Sequence, residues 1–261
     1  MVSVPFWRLL DSEITYDAAQ NLAIEEAILQ AKIKGFVPPT IRFWRNRRAV
    51  IVGYSQDVYA EVNLEVCARE GIQVVRRFSG GGAVYHDLGN LNYTIVMDTD
   101  DPLVRGLDVE KSYRVLCSGV VQGLKYLGFN SNEVALISPG NIFIRGKKVS
   151  GSAQLRSRNA ILHHGTLLVN SDIKMLESVL AVYDEKLRKN CSSACSPTTR
   201  VSDELGREVG ISEIKRVLIK GFEESFKINL KVEDITRLEE ECASRIYREK
   251  YSRNGGYLIL G

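Results

Sequence analysis

The stretch "RRFSGGGAVYHDLGN", Arg76 to Asn90, sets fixed positive charge on one side of three consecutive glycines and an imidazole on the other. Glycine loses more backbone freedom on folding than any other residue, so a triplet needs a reason. Bare backbone can approach a ligand closely and turn its N–H groups toward an anion. Arg76 and Arg77 add guanidinium forks suited to carboxylate or phosphate. The stretch reads as an anion-holding loop between strands; a glycine-rich hairpin with two surface arginines fits the same residues. It is not a Walker loop, because no GK[ST] ending follows and "AVYH" continues as a strand rather than a helix. It also fails the GxGxxG dinucleotide pattern.

His86 follows the glycines, and strand alternation puts it on the face of Val84. His163 and His164 are adjacent, so at most one of them can point into a shared site. No cysteine or carboxylate stands at ligand spacing from these histidines, which makes a poor case for zinc. The second informative stretch is "RGKKVSGSAQ". Lys147 and Lys148 enter a turn of small residues, and alternation again sends only one of them toward a pocket. Lysine is a compact point charge that serves as a phosphate ligand, although a solvated hairpin tip accounts for the pair equally. The five cysteines carry little chemistry. Cys67 and Cys117 fall in amphipathic helices as packing residues, and Cys191 and Cys195 form a CxxxC with no second pair. No local histidine or lysine would lower a thiol pKa toward a nucleophile.

These residues need strands to hold them. "IRFWRNRRAVIVGY" predicts two strands around an Arg/Asn turn, "IQVVRRFS" a strand running into the glycines, and "LNYTIVMD" the next strand. "NIFIRGKKVSGSAQLRSRNAILHHGTLLVN" predicts an antiparallel hairpin with turns at Gly146 and near Asn159. Helices are expected before Gly35 (Leu22, Ile24, Ala27, Ile28, Ala31 and Ile33 at helical spacing), over "NLEVCAREG", and over "VEKSYRVLCSGVVQGLKYLG", with Tyr113, Leu116, Val120, Leu124 and Leu127 on one stripe. Others are expected over "IKMLESVLAVYDEKLRK", "ISEIKRVLIKGFEESF" and "VEDITRLEEECASRIYREKYS", with a long polar loop at "NCSSACSPTTRVSDELG". The pattern is that of an α+β fold on a largely antiparallel or mixed sheet flanked by helices.

Composition bounds the function. With 44% hydrophobic and 26% charged residues the chain is ordinary for a soluble globular protein. No apolar run reaches the roughly 20 residues that span a membrane, and no signal peptide is expected. An odd, scattered set of cysteines suits a reducing cytoplasm. A net charge of +3 does not point to nucleic acid but suits an anionic small molecule or an acidic partner.

"RRFSGGGAVYHDLGNLNYT", "GKKVSGSAQ" and "HHGTLL", in that order and spacing, resemble the motifs of lipoate–protein ligase A. That enzyme sits in a wider family with biotin ligases and octanoyltransferases. "DAAQNLAIEEAIL" and "FWRNRRAVIVGYSQD" resemble its opening helix and next strands, so the likeness covers nearly the whole chain. It implies a class II biotin/lipoyl-ligase-like catalytic domain, here one domain over residues 1–261. It further implies that ATP and lipoate give lipoyl-adenylate, and that the lipoyl group then passes to one lysine of a lipoyl domain of the E2 or H-protein type. By motif, Lys148 matches the lysine that bridges the acyl carbonyl and the phosphate. Arg77, Ser79, Gly82 and Ala83 match the loop lining the adenylate. His86 and Asn90 match positions near the pocket, and Ala153, His164 and Thr166 match further lining residues. The Cys191–Ser202 loop resembles a segment that folds over the adenylate.

The chain departs from the family pattern twice. Where the family usually has an Asp that helps hold Mg2+, gap-free alignment on Lys148 puts Asn141, which lacks the charge a hard cation prefers. The chain also ends soon after its last helix, so no C-terminal accessory domain is expected. This resembles the archaeal type, in which a separate small protein supplies that part. Two alternatives follow from the same motifs. Octanoyltransferases of this fold use a cysteine thioester, but neither "ALISPGNIF" nor "SGSAQLRSRNAILHHG" contains a cysteine. A non-catalytic module that binds lipoyl-adenylate or a lipoyl domain would have lost activation, which the retained Lys148 argues against. No nucleic-acid or membrane partner is implied.

Overall fold

The computed structural model describes residues 4–11, 17–137, 139–180, 197–252 and 256–261. In chain order it forms strand β1 (Phe6–Asp11), helix α1 (Ala18–Ile33), strands β2 (Thr40–Trp44) and β3 (Ala49–Val52), and short helices α2 (Val58–Glu61) and α3 (Leu64–Arg69). Strands β4 (Gln73–Arg76), β5 (Val84–His86) and β6 (Asn90–Asp98) precede helix α4 (Val109–Leu127). Strands β7 (Val134–Ile137), β8 (Asn141–Ile144), β9 (Lys147–Ser157) and β10 (Ala160–Leu168) follow. Helices α5 (Ile173–Val179), α6 (Val201–Leu205) and α7 (Ile211–Phe226), strand β11 (Asn229–Val232), helix α8 (Arg237–Ile246) and strand β12 (Leu258–Leu260) complete the described chain.

The strands form two mixed sheets. The larger runs β11-β1-β2-β6-β10-β9-β8-β7, parallel from β11 to β2 and antiparallel beyond; the smaller runs β12-β4-β3-β5. The fold class is the α+β expected. The strands on either side of the Arg/Asn turn both form, but β2 and β3 belong to different sheets, so Arg45–Arg48 is a crossing rather than a hairpin.

One face of the large sheet packs against α4 and α7. Phe43, Tyr93 and Ile95 meet Leu116, Val120 and Leu124 of α4 and Leu218 and Phe222 of α7. The helical stripe predicted on α4 is thus the core stripe. The other face packs against α1, through Leu10, Ile28, Leu29, Val96 and Leu162. Helix α1 also meets Ile51 and Val75 of the small sheet and Ala243 and Ile246 of α8. Being enclosed by two sheets and a helix, α1 uses alanine at positions 18, 19, 23, 27 and 31, and it carries Asn21, Glu25, Glu26 and Lys32 into the interior. An Asp17–Gln20 capping box fixes its start.

Two helix expectations need correction. The last helix begins at Arg237, not at Val232, because Thr236 and Glu239 form a capping box and Val232 ends β11. The expected polar loop after α5 ends in α6, whose Gly206 closes it in the left-handed region. Residues 181–196, including Cys191 and Cys195, lie outside the described residues, as does the second half of the helix expected after Ile173.

Candidate active site

Between the two sheets lies a cavity of about 220 Å³. Its floor comes from three antiparallel strands of the large sheet. Register sets Thr166 of β10 opposite Asn92 of β6 and Gly151 of β9, and His164 opposite Thr94 and Ala153. Alternation sends His163 to the other face, against Tyr93 and Tyr113. Of the adjacent histidines, His164 alone lines the cavity, as alternation requires. The roof is the glycine stretch between β4 and β5, with Gly81, Gly82 and Ala83 lining it. Apolar lining comes from Leu22, Trp44, Ile51, Val84, Leu168 and Leu180.

Lys148 lines the cavity beside Asn141 and Gly151. Burial lowers its amine pKa below the ordinary lysine value. No carboxylate among the described residues pairs with it, and none lines the cavity. A Cβ at Gly151 would stand 3.2 Å from both Cε and Nζ of Lys148 and 3.5 Å from Asn141 Oδ1. The missing side chain is therefore the space into which the lysine leans. The Lys148 backbone is strapped by the chain beyond Pro197: its N–H donates to Pro197 O at 2.7 Å, and Thr199 N–H donates to its carbonyl at 2.9 Å. Lys147 points away and pairs with Glu204 at 3.0 Å.

Arg77 is buried, and its guanidinium is pushed down to about 10 by desolvation, partly offset by Glu25 and Tyr113. Its Nε donates to Ser79 Oγ and Gly80 O at 3.1 Å each, Nη1 to Ile51 O at 3.2 Å, and Nη2 to Gly80 O at 2.5 Å and Gly82 O at 2.9 Å. Arginine has five N–H donors, and this leaves one on Nη1. Most of the charge therefore braces the glycine loop. Gly81, at φ +89°, supplies the left-handed turn that aims two of those carbonyls inward. Behind this loop runs a directional chain. Ser79 Oγ lies 2.7 Å from His164 Nε2, and His164 Nδ1 lies 3.1 Å from Glu25 Oε1. Glu25 also accepts from Thr94 Oγ1, which accepts from Trp44 Nε1 at 2.8 Å.

A family model for the lipoyl protein ligase A/B catalytic domain matches residues 17–223, which hold this floor, the glycine roof and Lys148.

The chain belongs to that family.

It is 37% identical to lipoate-protein ligase A subunit 1 of Thermoplasma acidophilum, over 94% of each chain. It is 31% identical to the octanoyltransferase LipM of Clostridioides difficile, over 94% of this chain and 96% of that one. Among solved structures it resembles a bi-partite lipoate protein ligase from T. acidophilum, studied with its E2 lipoyl domain, at TM-score 0.82 and 34% identity over 98% and 99% of the two chains. A lipoate-protein ligase A bound with ATP superposes at TM-score 0.79 and 33% identity over 96% of each. The chain is thus an enzyme of the lipoyl ligase and transferase family.

Of the residues that the family motifs select, Arg77, Gly82, Ala83, His86, Asn141, Lys148, Ala153, His164 and Thr166 line the cavity. Ser79 and Asn90 stand one layer behind it: Ser79 holds His164, and Asn90 Nδ2 donates to Asn92 Oδ1 at 2.9 Å. Thr198 of "TTRVSD" joins the lining beside Lys148. No role was expected for Glu25, Asn46 or Asn92, although the family-like segments contain all three. Glu25 had one signal, a carboxylate set between Leu22 and Ile28 at helical spacing, on a face it shares with Asn21 and Lys32.

Magnesium binds hard oxygen donors, usually a carboxylate. No Asp or Glu is among the cavity-lining residues described, and no cluster of three His, Cys, Asp or Glu capable of holding a metal exists among the described residues. Asn141 and its neighbours do not fit a protein-held magnesium ion. Nor does any of the three described cysteines line the cavity; burial pushes Cys67 and Cys117 up to about 11. Among the described residues no helix is long and apolar enough to cross a membrane.

Proposed function

We propose that this chain is one catalytic domain that activates lipoate with ATP and transfers the lipoyl group to a lysine of a lipoyl domain. The carrying observation is Lys148: a half-buried amine without a carboxylate partner among the described residues, in a cavity that no described cysteine lines. The lipoate carboxylate attacks the α-phosphorus of ATP, pyrophosphate leaves, and a mixed anhydride forms. Two anions approach each other in that step, so fixed positive charge and donors on the reacting oxygens lower the barrier. Lys148 supplies the charge between acyl carbonyl and phosphate, and Asn92 adds an Nδ2 with no hydrogen-bond partner among the described residues. The acyl chain lies along Leu22, Ile51, Leu168 and Leu180. In the second step the acceptor lysine attacks the carbonyl carbon and AMP leaves. Positioning carries most of that reaction, and no covalent enzyme intermediate is needed.

The similarity to a bi-partite ligase and to a ligase subunit 1 supports two partners: an E2- or H-protein-type lipoyl domain as acceptor, and a separate small accessory protein needed for adenylation. The test is pyrophosphate release with lipoate and ATP, by the chain alone and with the small protein. Release that needs the small protein is the expected result, and rapid release by the isolated chain removes the split requirement. The second reading, octanoyl transfer from acyl carrier protein, is favoured by the similarity to LipM. It requires a thiol nucleophile, and the thiols of Cys67 and Cys117 are buried with raised pKa values.

A further inference from the structure

His86 is held by a hydrogen-bond relay of three side chains to which the family likeness above assigned no role. Arg42 Nη2 donates to Asn21 Oδ1 at 2.5 Å, Asn21 Nδ2 lies 2.8 Å from Asn46 Oδ1, and Asn46 Nδ2 lies 2.9 Å from His86 Nδ1. All four side chains are buried. The direction of the relay follows from its first member. A guanidinium has donors and no acceptor, so Asn21 must turn its oxygen to Arg42 and its NH2 to Asn46. Asn46 must then present its oxygen to Asn21 and its NH2 to His86. The Nδ1 of His86 can only accept, and the ring proton is placed on Nε2. That Nε2 is buried and has no partner among the described residues, although the ring lines the cavity and packs edge-on against Trp44. A buried N–H without an acceptor is costly, so it calls for an oxygen that the free protein lacks.

We propose that Arg42, Asn21 and Asn46 are positioning residues that lock His86 as the Nε2–H tautomer, a hydrogen-bond donor for a carbonyl or phosphoryl oxygen of the ligand in this cavity. The relay starts on the large sheet and α1 and crosses with the Arg45–Arg48 turn to reach the small sheet. It thereby also fixes the roof relative to the floor. The ligand half of the proposal rests on the function proposed above, and the tautomer half does not.

The test is two-bond 15N–1H correlation NMR on the full chain with 15N-labelled histidine, His86 being assigned from a His86→Gln spectrum. Wild type should show the Nε2–H pattern. Asn21→Asp is near-isosteric, keeps its charge against Arg42, and can only accept from Asn46. Asn46 must then flip, turn its oxygen to His86, and force the Nδ1–H tautomer. Asn46→Asp imposes the same inversion directly and serves if Asn21→Asp fails to fold. The inverted variants should bind lipoyl-adenylate about tenfold more weakly, the loss expected for one hydrogen bond. An Nδ1–H pattern in wild type, or no inversion in either variant, overturns the relay. Inversion with unchanged affinity overturns the donor role. A wild-type chain that binds no lipoyl-adenylate overturns the functional reading and the donor role with it, while the tautomer result still decides the relay.

Discussion

Gly151→Ala should separate activity from stability. Gly151 sits in β9 without a positive φ, so alanine needs no unusual backbone. Replacing a strand glycine by alanine should even stabilise by about 0.5–1 kcal/mol, or roughly 1–4 °C in Tm for a chain of this size. The atoms nearest the new methyl are the end of Lys148, at 3.2 Å from Cε and Nζ, and Asn141 Oδ1 at 3.5 Å. Ordinary contact between carbon atoms is about 3.5–4.0 Å, so the amine must give way by several tenths of an ångström or change rotamer. A reacting group misplaced by about 1 Å costs on the order of 10²-fold in rate. The expected result is a rate roughly 10- to 100-fold lower, equivalent to about 1.4–2.7 kcal/mol, with Tm unchanged or higher. The assay is single-turnover formation of lipoyl-adenylate with the small accessory protein present, beside a thermal melt. Wild-type turnover in a folded Gly151→Ala protein would refute the placement of Lys148 at the reacting atoms, and an unfolded variant would refute the account of the gap.

Lys148→Met should abolish adenylate formation while raising Tm, because it removes an amine whose charged form burial disfavours; a lower Tm in the melt would contradict this. Burial holds the imidazoles of His86 and His163 down to about 3, with Arg77 and His164 also lowering His86 and His164 lowering His163. The unfolded chain protonates first, so their stability contribution is whole above about pH 6.5 and is lost as pH falls toward about 3. His163→Phe should flatten that acid limb by up to about 1.4 kcal/mol per pH unit, read by urea unfolding between about pH 7 and about pH 5. Asn141→Asp should lower the magnesium concentration needed for half-maximal activity, by adding the carboxylate a hard cation prefers; an unchanged magnesium titration would show that residue 141 stands away from the ion.

Sequence pattern separates the side chains that face the cavity from those that do not, because its signals are local. Alternation separates Lys148 from Lys147 and His164 from His163, and a hairpin turn at Gly146 sets the register. The two-sheet division was not legible, because strand pattern reports a buried face and not which sheet owns it: β2 and β3 look like a hairpin yet part company at Arg45. The same limit hid Glu25, Asn21 and Asn46. Each is polar and buried at the junction of α1 with both sheets, and its partners lie 21 to 139 positions away in the chain. Arg77 was legible as an arginine beside an anion-holding loop, but its burial and its bracing role were not, since only the folded loop shows that its donors hold Gly80 and Gly82 carbonyls.

The most direct test of the central claim is the intact mass of an E2-type lipoyl domain after incubation with the chain, lipoate, ATP, magnesium and the small accessory protein. The expected result is addition of one lipoyl group that requires ATP and disappears with Lys148→Met. A modified acceptor formed from octanoyl-acyl carrier protein without ATP, or one that survives Lys148→Met, would contradict it.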